Sequence, residues 1–212
     1  ITRDTANPDA GIIERDAAGE PTGILREFAA GLVRKHIPPY TAEQNVKGLN
    51  WSLNLALSEG ITAFTDAGVD LDALQAYATL ADRGVLKQRV RACLFSGGPV
   101  FQAATSSGDP VELRNLYARE RFKPDCVKLG LDGVPTDGHT AAMLEPYADA
   151  THIRTEARAK GMLTWPAAEL KRTVTELDRQ GFTVKFHAAG DAAVRAGLDA
   201  IEAARKANGF SG

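Results

Sequence analysis

Short apolar segments alternate with helix-like segments along most of this 212-residue chain, and this alternation restricts the fold more than any other feature. After a first helix that begins with the capping-box pair Thr41 and Gln44, four apolar segments are each followed by a predicted helix. The predicted strands lie at residues 61–65, 89–95, 126–132 and 182–187. Strands separated by helices pair in parallel through right-handed crossovers, so the sequence predicts an α/β fold.

The predicted helices carry recognisable start signals. Asp70 and Asp191 are placed as helix caps, and Asp109 is followed by a proline at the first helical position. A weaker helix is predicted near residues 148–160. Residues 1–40 are irregular and contain a predicted hairpin, so we expect them to be an appendage to one domain that covers residues 41–212.

Composition excludes several classes of partner and places the chain in a reducing compartment. The formal net charge of −2 argues against nucleic acid or an anionic membrane as the main partner. The chain has no apolar run long enough to span a bilayer and no signal peptide. Cys93 and Cys126 each lie in an apolar segment and are expected to be buried free thiols, which suits the cytoplasm.

Lys128 is the most unusual residue of the predicted strands, because it lies among apolar neighbours in the segment 127–131. An ammonium group is costly to bury without a partner. The side chain could reach the surface, pair with a carboxylate such as Asp132, act as an amine nucleophile, or be modified so that it loses its positive charge. The spacing of residues alone leaves these alternatives open.

Function in parallel α/β folds collects at the carboxyl ends of the strands. His187 ends the last predicted strand and is either a metal ligand or an ordinary core histidine. Its strand neighbours that of Lys128, so both side chains could address one metal ion. Three further residues lie near strand ends and are candidates for substrate binding: Asp66, Asp132 and His139. Asp191 is a helix cap or a supporting residue behind the metal ligands.

Several motifs together resemble a known family. They are KLGLDG at 128–133, TAAMLEPY at 140–147 and HAAGD at 187–191, with supporting matches at 19–27 and 60–64. This combination resembles the amidohydrolase superfamily and, within it, the amidohydrolase 3 group of YtcJ-like metal-dependent hydrolases. The resemblance covers essentially the whole chain.

The resemblance implies a (β/α)8 TIM barrel and a metal-activated water that cleaves the C–N bond of a small amide-type substrate. Lys128 matches the carboxylated lysine of the family's fourth strand, and His187 matches the metal-binding histidine of its fifth strand. The implied cofactor is a divalent metal, with zinc expected in the intact enzyme.

The chain also departs from the family pattern. It lacks the first-strand His-x-His pair, the sixth-strand histidine and the eighth-strand aspartate that serves as proton shuttle, so the catalytic residue is unknown. We therefore expect an incomplete barrel that covers strands 2 to 5 of a longer hydrolase. Alone, it is expected to be inactive, to bind no metal and to associate with itself through open sheet edges.

Two other functions fit the residues less well. One is a lyase or aldolase that forms a Schiff base through Lys128, and the other is a non-catalytic α/β module that binds a partner. Neither function accounts for the family motifs. Borohydride would trap a Schiff base between Lys128 and a carbonyl substrate, which distinguishes the first alternative from a hydrolase.

Overall fold

A computed structural model of the chain describes residues 1–8, 11–98, 108–136, 139–148 and 159–209. Their contacts form two compact units, which are described in turn. The first contains residues 1–39, 132–162 and 189–193, and the second contains residues 40–131, 163–188 and 194–212. In the part of the chain that the structure describes, every helix is too short or too polar to span a bilayer.

The first unit contains the predicted hairpin. Strand β1 (Gly11–Arg15) pairs antiparallel with β2 (Pro21–Glu27), and the Asp16 carboxylate accepts the N–H groups of Ala18 and Glu20 in the turn between them. A short 3-10 turn (Phe28–Ala30) and helix α1 (Gly31–Arg34) follow. The predicted helix near residues 148–160 falls largely outside the described residues.

The second unit is built on a parallel sheet of four strands in the order β3-β4-β5-β6, as the alternating pattern predicts. The strands are β3 (Ala63–Val69), β4 (Arg89–Ser96), β5 (Phe122–Gly130) and β6 (Thr183–His187). The helices are α2 (Ala42–Ser58), α3 (Leu71–Asp82), α4 (Pro110–Tyr117), α5 (Ala167–Arg179) and α6 (Asp191–Asn208).

The helix starts read from the sequence are confirmed where their caps are described. Thr41 and Gln44 form a complete capping box at α2. The Asp70 carboxylate accepts the N–H of Ala73 at α3, and the Asp109 carboxylate accepts two N–H groups at α4. These local signals predict helix starts well because the capping bonds are made within one turn.

Two strands, β3 and β5, differ by four residues at one end from their predicted bounds, whereas β4 and β6 differ by one residue. Strand β3 continues past Thr65 to Val69, so Asp66 lies inside the strand and not at its end. Strand β5 begins at Phe122, and Pro124 lies within it where the register of β4 and β5 shifts. Proline is tolerated in strands at such bulges. The prediction, which began the strand after Pro124, therefore placed its start four residues too late.

The prediction of free thiols is wrong. Cys93 of β4 and Cys126 of β5 are register partners, with Cα atoms 4.2 Å apart, and their sulfur atoms form a disulfide. Both residues are buried, as expected. Only the register of β4 and β5, with its shift at Pro124, brings the two cysteines opposite each other, and no local pattern in the sequence indicates that register. With both thiols in a disulfide, the two cysteines no longer indicate a reducing compartment.

Candidate functional site

Lys128 lies near the carboxyl end of β5 on the face of the sheet that points away from the helices. Its neighbours Val127 and Leu129 line an apolar cavity of about 230 Å³ together with side chains of α4 and α5. Because successive side chains of a strand point to opposite faces, Lys128 points to the other face. Its register partners are Phe95 of β4 and Lys185 of β6.

His187 ends β6 and shares this face with Lys128. The ring of Phe186 lies beside Gly197 of α6, 3.2 Å from where a Cβ at that glycine would lie, so Phe186 faces the helices. His187 and Lys185, which flank Phe186, therefore point to the opposite face. His187 pairs with Gly130, two residues beyond Lys128 on β5. The structure thus brings the two predicted metal ligands to one face of neighbouring strands.

Lys128 is half-buried. Among the residues that the structure describes, its ammonium makes no hydrogen bond and no ion pair. The alternative in which Lys128 pairs with a carboxylate is therefore not realised in that part of the chain.

Asp66 lies on the helix side of the sheet. Its Oδ2 accepts a hydrogen bond of 3.0 Å from the hydroxyl of Tyr77 in α3. Tyr77 is buried and stacks on Phe122, with ring centroids 4.8 Å apart. Burial and the nearby Asp66 carboxylate raise the pKa of the Tyr77 hydroxyl. The structure therefore does not bring Asp66 to the face of Lys128, and the geometry gives no support to a role in substrate binding.

In the first unit, Asp132 is a buried carboxylate that accepts three backbone N–H groups. The N–H of Ala142 and that of Gly190 donate to Oδ2 at 3.0 and 2.7 Å, and the N–H of Ala189 donates to Oδ1 at 3.0 Å. Asp132 is only 4% exposed. Its two oxygen atoms thus join the loop that follows β5 to the residues just after His187.

Asp191 and Gly190 complete this junction. The Asp191 Oδ1 accepts the N–H of Leu144 at 2.8 Å, and the Ala142 carbonyl accepts the N–H of Ala192 at 3.0 Å. A Cβ at Gly190 would lie 1.9 Å from the Ala142 carbonyl oxygen, so only glycine allows this approach. Asp191, predicted as a cap or a supporting residue, uses its carboxylate to fix the 140–144 segment.

His139 lies in the same loop and has a left-handed backbone, with φ of 50°. Its ring meets the ring of Tyr147 edge-on at 4.7 Å, and the Tyr147 hydroxyl donates to the Ala141 carbonyl at 2.8 Å. This geometry holds the His139 side chain in place, as a substrate contact requires, but it does not test that role. Of the other two histidines, His36 is exposed and His152 lies outside the described residues.

Glu27 is a residue of this loop region that the sequence reasoning missed. Its backbone has φ of 51°, which is unusual for any residue other than glycine. Its Oε1 accepts a hydrogen bond of 3.1 Å from Thr140 Oγ1, and Thr140 also accepts the N–H of Val134 at 2.9 Å. The only sequence signal for Glu27 was its position at the end of the 19–27 motif.

The described residues include some side chains that could bind a divalent metal. Imidazole and a carboxylated lysine are both suitable donors for a divalent metal, and His187 and Lys128 lie on one face. No group of three or more His, Cys, Asp or Glu side chains that could hold a metal occurs among the described residues. The described residues therefore fit the metal as contributors of some of its ligands.

Comparison with known proteins identifies the family. The sequence profile of the Amidohydrolase family, Amidohydro_3, matches residues 1–212. The chain belongs to the amidohydrolase family. YtcJ of Bacillus subtilis, whose name describes it as an amidohydrolase, is 29% identical over 99% of this chain and 37% of its own length. The N-substituted formamide deformylase of Arthrobacter pascens is 25% identical over 95% of this chain and 36% of its own length.

Solved structures agree with this assignment. An uncharacterized metal-dependent hydrolase from Pyrococcus horikoshii matches 89% of this chain and 36% of its own chain, with a TM-score of 0.63 and 25% sequence identity. A second one, from Pyrococcus furiosus, matches with a TM-score of 0.62 and 26% identity. The four-stranded parallel sheet fits an incomplete α/β barrel of this type. The chain spans little more than a third of the length of these relatives.

Proposed function

We propose that this chain is the central part of a metal-dependent amidohydrolase that cleaves amide-type C–N bonds of small molecules. The observation that carries the proposal is the common face of Lys128 and His187 near the carboxyl ends of β5 and β6, in a chain whose whole length matches the family. Strands β3 to β6 would be the second to fifth strands of the barrel, and residues 1–40 an appendage to the barrel domain 41–212.

Lys128, in carboxylated form, and His187 would hold a divalent metal, with zinc as the expected ion. A bound metal supplies a water of lowered pKa and polarises the substrate carbonyl. Carboxylation makes physical sense because it replaces a half-buried cation, which has no partner among the described residues, by an anionic oxygen ligand. The loop that carries His139 would contact the substrate, and Asp132 and Asp191 would hold that loop in position.

The remaining ligands and the proton shuttle would come from residues outside this chain. We therefore expect the 212-residue chain alone to be inactive and to keep no metal. Too few ligands of one site cannot retain a metal tightly.

Metal analysis and activity measurements on the longer protein test the proposal. We expect Lys128→Met and His187→Ala to lose bound zinc and to lose hydrolysis of N-formyl and N-acyl amines, a substrate panel suggested by the deformylase relative. Lys123→Met, which changes an exposed lysine of the same strand, is the matched control and should keep both. Stoichiometric zinc or amide hydrolysis in the 212-residue chain alone would contradict the proposal. Borohydride trapping of a carbonyl substrate on Lys128 would point to a Schiff-base enzyme instead.

A further inference from the structure

Two lysines occupy directly opposed positions on the face that carries His187. Lys128 of β5 and Lys185 of β6 are register partners in the parallel sheet. Neighbouring strands lie about 4.8 Å apart, and opposed residues of a parallel pair project to the same face. The side chains of the two lysines therefore begin side by side. They lie two residues closer to the amino ends of the strands than the register pair Gly130 and His187.

This arrangement is unfavourable for two ammonium groups. Like charges directly opposite each other on neighbouring strands destabilise a sheet. Among the described residues, neither Lys128 nor Lys185 forms an ion pair with a carboxylate. On the same side of the sheet, the Asp125 carboxylate is already paired with Arg91 at 2.8 Å. The pair of lysines thus lacks a compensating negative charge within that part of the chain.

We propose that Lys185 is a positioning residue that stabilises carboxylated Lys128 by pairing its ammonium with the carbamate. This inference rests on the proposed function, since it requires that Lys128 is carboxylated. The unfavourable pair of like charges becomes a pair of opposite charges once Lys128 is modified. Lys185 itself is not assigned as a metal ligand or as a group that touches the substrate.

Carboxylation of Lys128 consumes one carbon dioxide and releases two protons. The Lys128 ammonium loses one proton to water, and the nitrogen lone pair attacks the carbon of carbon dioxide. A C–N bond forms, one C=O electron pair moves to oxygen, and a second proton leaves the nitrogen. The Lys128 side chain changes from one positive to one negative charge, whereas Lys185 keeps its positive charge. The register of β5 and β6 brings this fixed cation next to the new anion.

Lys128 has a cationic register partner on β6 but an uncharged one, Phe95, on β4. The Phe95 ring lies 3.4 Å from where a Cβ at Gly130 would lie. An aromatic ring on that side offers no charge that could pair with a carbamate. Lys185 is therefore the one cation among the register partners of Lys128.

Carbon-13 NMR tests the proposal on the longer protein loaded with zinc in ¹³C-labelled bicarbonate. We expect a carbamate signal in the wild type that is absent from Lys128→Met. Lys185→Met should reduce this signal by up to about fivefold, the upper end of the range for one exposed ion pair. Lys185→Arg, which keeps the charge, should restore it, and Lys123→Met should leave it unchanged. Thermal unfolding of each variant shows that it is folded.

The outcomes separate this inference from the proposed function. A carbamate signal of equal strength in the wild type and Lys185→Met would overturn the role of Lys185 and leave the proposed function standing. Loss of the signal in Lys185→Arg as well as in Lys185→Met would also overturn a role that depends on charge. A folded, zinc-loaded wild type without any carbamate signal would overturn both the role of Lys185 and the carboxylation of Lys128.

Discussion

A buried carboxylate that accepts several backbone N–H groups fixes its surroundings more firmly than a carboxylate in a surface ion pair. Asp132 is such a group, because its oxygen atoms take the N–H groups of Ala142, Ala189 and Gly190. From the sequence it was a candidate for substrate binding, a role that stays a prediction. The contacts show an additional role: Asp132 joins the loop that follows β5 to the loop that follows β6.

The Asp132→Asn variant measures this role. An asparagine side chain keeps one acceptor oxygen but turns its NH₂ group toward backbone N–H donors, so at least one buried donor loses its partner. We expect the free energy of unfolding in urea to fall by about 2 kcal/mol, within the usual cost of an unsatisfied buried group. The matched control is Asp125→Asn, which removes a partly exposed ion pair with Arg91 and should cost less than about 1 kcal/mol. Equal losses in the two variants would contradict the assignment.

Tyr77 and Asp66 give a pH-dependent prediction. Burial first, and then the Asp66 carboxylate, raise the pKa of the Tyr77 hydroxyl in the folded chain. The stabilisation from this shift is complete below the pKa of an unfolded tyrosine, about 10, and is lost as the pH rises above it, because the unfolded chain then releases a proton that the folded chain keeps.

Comparison of the wild type with Tyr77→Phe isolates that contribution. Below pH 9 to 10 we expect the variant to be less stable by about 1 kcal/mol, since the bond to Asp66 is lost. The difference should shrink at higher pH because phenylalanine has no proton to release. Tyr40→Phe, at a tyrosine that is 73% exposed, is the control and should follow the wild type throughout. A difference that stays constant above pH 10 would argue against the raised pKa.

At the scale of elements, the disulfide between β4 and β5 is the feature that the sequence reasoning misjudged. Cys93 and Cys126 are separated by 33 residues, so their bond closes a loop that contains α4. Closing a loop of this length restricts the unfolded chain and is worth about 3 to 4 kcal/mol in the chain-entropy model.

We expect the Cys93→Ala/Cys126→Ala double variant to unfold at a lower urea concentration than the oxidised wild type. Its free energy of unfolding should be lower by about 3 to 4 kcal/mol. Reductant should destabilise the wild type and leave the double variant unaffected, which is the internal control. The intact mass of the denatured, unreduced protein should lack the two hydrogens that oxidation removes. Free thiols in the freshly purified, denatured protein would show that the bond does not form.

The elements that the sequence predicted well are those with local signals. The caps of α2, α3 and α4 involve bonds within one turn. The alternation of strands and helices could be predicted because the spacing of apolar residues differs between the two kinds of segment. Strand bounds were less predictable, because Val69 and Phe122 belong to strands only through pairing with a neighbour. The direction in which Asp66 points depends on the same pairing.

At the scale of the whole molecule, the described sheet has one open edge at β3 and another at β6. Unpaired strand edges offer N–H and C=O groups to another chain. We therefore expect the 212-residue chain to form dimers or larger assemblies, which light scattering coupled to size exclusion would detect. The longer protein, in which further strands would cover these edges, is the control and should not assemble in this way. A monomeric 212-residue chain at high concentration would contradict the prediction.

The sequence by itself determined the alternating α/β pattern, the helix caps and, through its motifs, the family to which the chain belongs. These properties depend on residues near one another along the chain or on patterns shared with relatives. Tertiary structure decided which residues meet: Cys93 with Cys126, Tyr77 with Asp66, the Asp132 carboxylate with three backbone N–H groups, and Lys128 with Lys185. For the strand residues the physical reason is register, since a shift by one residue in a strand exchanges its two faces, and no local signal fixes that shift. The Asp132 carboxylate meets its three donors because loops distant in the sequence lie together.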